Sequence, residues 1–106
     1  MNRVAFVLNV KPQLIEEYKR HHDSVWPEML EALRRSGWHN YSLFLRPDGM
    51  LFGYFETEGS FAEALASMAD EPVNDCWQSL MAPFFEGTGG AADRMMVELE
   101  EVFHLP

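Results

Sequence analysis

The chain has 106 residues, 47% of them hydrophobic and 13% aromatic, and 17 acids against 8 Lys and Arg give it a formal net charge of −9. That length predicts one domain, residues 1–106, with a real but small core. The acidic balance repels phosphate backbones and anionic membranes, which argues against nucleic-acid and membrane partners and leaves room for a neutral small-molecule ligand.

A single cysteine, Cys76, excludes an intrachain disulfide and suits a reducing compartment. The N-terminal stretch lacks the apolar core and small-residue cleavage site of a signal peptide. No stretch approaches membrane-spanning length. The reading predicts a cytoplasmic protein.

Residues 4–10 read as a strand, with Val4, Phe6, Leu8 and Val10 on one face and Ala5 and Val7 on the other. Both faces are apolar, which places the strand centrally. A helix follows over 12–22, with Pro12 in its first turn and Leu14, Tyr18 and His22 lined up at i, i+4, i+8. Asp23 or Ser24 is the expected cap of a second helix that carries Pro27 in its first turn and ends at Gly37. The two pieces could also be one helix bent at Pro27.

Residues 38–46 and 50–57 form a predicted hairpin around Pro47-Asp48-Gly49. Simple alternation sets Trp38, Asn40, Ser42 and Phe44 against Tyr41, Leu43 and Leu45. Ser60 and Glu63 form a capping box, followed by a helix that buries Phe61, Ala64, Leu65 and Met68. Pro72 opens another helix, with Val73, Trp77, Leu80, Met81 and Phe84 as its stripe, broken at Pro83. Residues 85–94 hold three glycines and are expected to be a loop, the most mobile part of the chain. Their glycines do not make a phosphate cradle, because no strand precedes them and no lysine follows in place. A last strand is expected over 99–105.

That order, βα(α)ββα(α)β, is the ferredoxin-like α+β arrangement: an antiparallel sheet with helices on one face only. The other face still carries apolar and aromatic residues. A second copy of the sheet is the simplest cover, so a homodimer is expected.

Chemistry concentrates in residues 18–29, where a phenol, two imidazoles, an indole and two carboxylates meet. His22 titrates near physiological pH and has the phenol of Tyr18 one turn away. Spacing alone leaves two readings open, a catalytic pair or two amphipathic-helix residues with ordinary hydrogen bonds. His21 points about 100° away around the helix and is expected at the solvated surface. His39 and His104 lie on predicted strands and could reach the open sheet face. The histidine spacing and the absence of a Cys-x-x-Cys pattern argue against zinc. Cys76 has no neighbouring Lys or His to activate it and reads as a small core residue.

Taken together these residues are recognisable. The chain resembles the L-rhamnose mutarotase family from end to end. The resemblance is carried by residues 3–7, by Glu17-Tyr18 with His22 and Trp26-Pro27-Glu28, by Gly37 with His39-Asn40-Tyr41, by Trp77, and by residues 101–106. It implies an isomerase without a cofactor that interconverts the α and β anomers of L-rhamnose, on the fold of a dimeric α+β barrel. The family's acid/base histidine matches His22, its sugar-contacting tyrosines match Tyr18 and Tyr41, and its tryptophan contact matches Trp77. Where the family carries two adjacent tryptophans this chain has Cys76-Trp77. Cys76 is thus expected to form a smaller pocket wall. Two other readings share the fold: a haem-binding or cofactor-free monooxygenase, and a non-catalytic dimeric sensing module.

Overall fold

The structure, a computed structural model, describes residues 1–86 and 95–106. Strand β1, Asn2–Asn9, runs through the middle of the sheet. Strands β2, His39–Leu45, and β3, Met50–Thr57, form the predicted hairpin. A short β4, Val97–Leu99, closes the order β2-β3-β1-β4, with every pair antiparallel.

Helices α1, Ile15–His22, and α2, Pro27–Arg35, connect β1 to β2. Helices α3, Phe61–Ala69, and α4, Pro72–Met81, follow β3. This is the ferredoxin-like α+β architecture that the element order predicts. Single 3₁₀ turns, Pro12–Leu14 and Ala82–Phe84, precede α1 and follow α4. Pro12 and Pro83 each sit in one of those turns.

The two early helices are separate, and neither Asp23 nor Ser24 caps the second. Trp26 holds that position with an extended backbone, φ −58° and ψ 135°. A residue that precedes proline is pushed out of the helical region, so Pro27 itself forces the break. At the far end Gly37 adopts φ +87°, and the Trp38 N–H reaches the Leu33 carbonyl at 2.9 Å. That is a Schellman ending, and it needs glycine's freedom at this point. Ser60 caps α3 as expected, its hydroxyl accepting from the Glu63 N–H at 3.1 Å.

Val4, Phe6 and Leu8 of β1 and Leu51 and Phe55 of β3 are buried on the face turned to the helices. Phe6 is the centre of this core. It stacks on Phe61 at 5.7 Å and meets Trp38, Tyr41 and Phe55 at 6.3–6.4 Å. Its strand partner is Gly53, where an added Cβ would lie 2.2 Å from the Phe6 ring. The ring therefore fills the space that any other residue at 53 would claim.

Strand β2 departs from simple alternation. His39 pairs with Glu56 and Ser42 with Tyr54, so β2 carries one residue more than β3 between these pairs. The extra residue is absorbed as a bulge beside Asn40, at φ +49°, a left-handed conformation that Asn tolerates better than most residues. Trp38 and Tyr41, expected on opposite faces, consequently lie on the same side, their rings 5.1 Å apart.

The last strand is shorter and earlier than expected. It spans Val97–Leu99, and residues 100–106 lie outside the sheet. The ladder pairs Ala5 with Leu99, and continuing it would set Glu101 opposite Arg3. Those two side chains do meet, through two hydrogen bonds of 2.9 Å. β1 begins at Asn2, so Phe103, His104 and Leu105 have no strand to pair with. His104 is therefore in an exposed tail rather than on a strand, and Val102, Phe103 and Leu105 are exposed beside it. The other sheet face carries Phe44, Val97 and Leu99, 62%, 60% and 40% exposed. Of the predicted loop over 85–94, Phe85 is buried and bridged to Val10, and the Glu86 N–H bonds to the Asn9 carbonyl at 2.9 Å. Residues 87–94 lie outside the described residues.

Candidate active site

Between the helices and the sheet lies a cavity of about 250 Å³. Most of its lining is apolar, including Leu8, Met29, Leu33, Leu43, Leu65 and Met68. Its polar groups come from three places. Tyr18 and His22 rise from α1, Tyr41 from β2, and Asn74, Trp77 and Gln78 from α4. A mainly apolar hollow with a few convergent polar groups is the usual form of a small-molecule site.

The i, i+4 spacing on α1 brings Tyr18 and His22 together as the sequence suggests, with ring centroids 4.2 Å apart. The His22 Nδ1 lies 3.0 Å from the Tyr18 carbonyl oxygen. A carbonyl only accepts, so Nδ1 donates and the neutral ring keeps its lone pair on Nε2. Burial lowers the pKa of His22, against the smaller opposing pull of that carbonyl. The ring is thus held neutral near pH 7, and Nε2 is the nitrogen that can take a proton.

Both tyrosines stay phenols. Burial drives the Tyr18 pKa upward, and the neighbouring Tyr41 adds to it. Burial alone raises Tyr41. A phenol held this firmly can orient a hydroxyl group as donor or acceptor without losing its own proton.

Trp77 meets the His22 ring edge-to-face at 5.5 Å and Trp26 at 5.1 Å. Trp38 is a core residue whose indole N–H donates to the Ala64 carbonyl at 3.1 Å. Its ring stacks on Phe55 at 3.9 Å.

Two expectations need correction. Cys76 is exposed and lines no part of the cavity, so it is neither a small core residue nor a pocket wall within this chain. Helical geometry explains why. Asn74, Trp77, Gln78 and Met81 fall on one narrow arc of α4, and Cys76 sits on the opposite side. His21 is half-buried rather than at the solvated surface, its ring edge-on to Phe84 at 5.4 Å. His39 is half-buried on β2, outside the cavity lining. Among the described residues no three His, Cys, Asp or Glu side chains gather as metal ligands would.

The model of the L-rhamnose mutarotase family matches residues 3–105. The chain belongs to that family. It is 42% identical to the L-rhamnose mutarotase of Bacillus subtilis and 37% identical to that of Oceanobacillus iheyensis, each over 99% of both chains. The crystal structure of an L-rhamnose mutarotase from Formosa agariphila superposes with a TM-score of 0.80, at 26% identity over the whole of both chains. The monooxygenase and sensing-module readings shared only the fold. Membership of the L-rhamnose mutarotase family sets them aside.

Asn74 and Gln78 escaped the sequence reading altogether. They are polar residues on the inward arc of an amphipathic helix, and Asn74 is only 2% exposed. Their offset from Trp77, three residues before and one after, was the available signal.

Proposed function

We propose that this protein is an isomerase that interconverts the α and β anomers of L-rhamnose by acid/base catalysis, with His22 as the catalytic residue. The observation that carries this reading is the neutral His22 ring, its Nδ1 committed to a backbone carbonyl and its Nε2 left for chemistry, within a cavity that also holds Tyr18, Tyr41 and Trp77. The family and its named relatives supply the sugar.

Anomer exchange breaks the bond between C1 and the ring oxygen, and C1 becomes an aldehyde. A base removes the proton of the anomeric hydroxyl while the ring oxygen gains one. Rotation about the C1–C2 bond and closure on the other face reverse both transfers. In this reading His22 takes and returns the proton at Nε2. Tyr18 and Tyr41, kept neutral by burial, hold sugar hydroxyls in place. Trp77 offers a flat apolar surface to the C–H side of the ring. Assistance of this kind is typically worth ~10²–10⁴ in rate. No metal or nucleotide is required by these proton transfers.

A second copy completes the molecule in this reading. Phe44, Val97 and Leu99 expose apolar surface on a sheet face that the helices leave uncovered. A homodimer formed through that face accounts for it. A net charge of −9 disfavours nucleic-acid and anionic-membrane partners, and the one exposed cysteine suits the cytoplasm. No helix among the described residues is long and apolar enough to cross a membrane.

Saturation-transfer NMR of the anomeric protons of L-rhamnose tests the activity directly. Faster exchange with enzyme than without is the expected result, and equal rates refute the proposal. Sedimentation at micromolar concentration tests the dimer, which a monomer with intact activity would overturn.

A further inference from the structure

We infer that Trp26 is a positioning residue for the sugar site: it acts through Trp77, holding that ring at the angle at which it faces the sugar. The inference rests on the anomer-exchange reading above, in which Trp77 meets the C–H side of the sugar ring. Trp26 is half-buried and lies outside the cavity lining, and no step of the proton transfer uses it. Its ring nevertheless meets that of Trp77 at 5.1 Å and 84°. Trp77 in turn meets His22 at 5.5 Å and 80°. Trp77 thus has two near-perpendicular ring neighbours, one that belongs to the cavity and one that does not.

The backbone makes Trp26 a firm support. Pro27 confines it to the extended region, φ −58° and ψ 135°. Its carbonyl accepts from the Met29 and Leu30 N–H groups at 3.0 and 3.1 Å, which joins it to the first turn of α2. Trp77, by contrast, sits within α4, whose backbone fixes the place of its Cβ but leaves the ring a choice of rotamers. The neighbouring rings must settle that choice. Any apolar group can fill space, whereas an edge-to-face aromatic pair prefers one mutual angle. A flat ring serves a sugar only with its face turned toward it, so that angle bears on binding. His22 does not depend on this support, because its Nδ1 is already tied to the Tyr18 carbonyl at 3.0 Å. Loss of the Trp26 ring should therefore weaken sugar binding and spare the proton transfer.

The test compares Trp26→Leu, which fills space without a ring, with Trp26→Phe, which keeps an aromatic edge. Anomer exchange of L-rhamnose is measured over a range of concentrations. For Trp26→Leu the expected KM is raised about threefold to tenfold, the scale of one aromatic pair, with kcat within about twofold. For Trp26→Phe the KM should stay within about twofold of the parent. The Trp26→Leu change is also made in a Trp77→Leu protein, where it should alter KM by less than about twofold, because the ring it acts through is gone. An unchanged KM in Trp26→Leu, a loss confined to kcat, equal losses in the Leu and Phe variants, or the same factor with and without the Trp77 ring overturns the inference. If Trp26→Leu does not fold by circular dichroism, Trp26→Met, also without a ring, replaces it under the same criteria. If Trp77→Leu does not fold, the comparison with Trp26→Phe decides alone. A parent protein that does not exchange L-rhamnose anomers refutes the proposed activity, and this inference with it. A parent that exchanges them beside a Trp26→Leu variant with the parent's KM refutes this inference alone.

Discussion

His22 is held from behind by the residue one turn before it: its Nδ1 sits 3.0 Å from the Tyr18 carbonyl oxygen. One bond thus fixes the tautomer and the ring's tilt, and leaves the lone pair on Nε2. It is made to backbone, so it survives substitution of the Tyr18 side chain. The two residues can therefore be tested one at a time.

The first consequence is a pH dependence. The ordinary His pKa of 6.5 is lowered here, chiefly by burial. If the neutral ring is the working form, enzyme-catalysed exchange is level above about pH 6.5 and falls as pH drops through the lowered value. Stability follows the same direction. Between the lowered pKa and 6.5 the unfolded chain binds the proton that the folded one refuses, so this contribution is lost as pH falls through that window. Exchange rates and melting temperatures measured across the window check both. A catalysed rate that climbs toward acid would assign the work to the imidazolium.

His22→Ala should slow exchange by roughly 10²-fold or more with the fold retained. His21→Ala is the control, and the structure sharpens what it should do. Its ring packs against Phe84, so it should lower the melting temperature slightly and leave the rate unchanged. Equal rates in the two variants would remove the catalytic role from His22.

Tyr18→Phe deletes one hydroxyl and keeps the buried ring on Phe85, 5.7 Å away, and on His22. It should reduce exchange less than His22→Ala and shift unfolding by less than about 1 kcal/mol, since no ring contact is lost. Rate and urea unfolding measured on the same preparations separate the two effects.

On α4, Trp77→Ala should weaken sugar binding and destabilise the fold by about 3–5 kcal/mol, because the ring is buried against His22 and Trp26. Cys76→Trp should be neutral in the isolated chain, where the position is exposed. If it changes KM without changing the melting temperature, position 76 meets the sugar in the assembled protein.

Gly53→Ala should destabilise by about 1–3 kcal/mol, since its Cβ would fall 2.2 Å from a Phe6 ring enclosed by Phe61, Tyr41 and Phe55. Adding Phe6→Leu should recover part of that loss. If the double variant is merely the sum of the two single ones, the close approach is not the cause.

Much of this was legible in the sequence because the signals were local. The Ser60 capping box, the Gly37 ending and the Pro47-Asp48-Gly49 turn each specify their own geometry. Tyr18 and His22 met because helical spacing alone decides it. What failed depended on distant partners. The last strand ends at Leu99, opposite Ala5 and short of the end of β1, which residues 99–105 cannot encode by themselves. Cys76 reads as an interior residue from its chemistry, although its angle on α4, counted from Trp77, turns it outward. Asn74 and Gln78 give no inward signal of their own, because polar residues on a helix are by default assigned to solvent.

The single extra residue beside Asn40 has a consequence of another kind. Side-chain addresses along a strand behave like a reading frame, and this insertion shifts the frame once, between Trp38 and Tyr41. Upstream of the shift an indole lands in the core, and downstream a phenol lands in the cavity. Deleting that one residue would alter neither ring, yet it would send one of them to the opposite side of the sheet. Shortening the strand by one residue could therefore do more damage than many point substitutions.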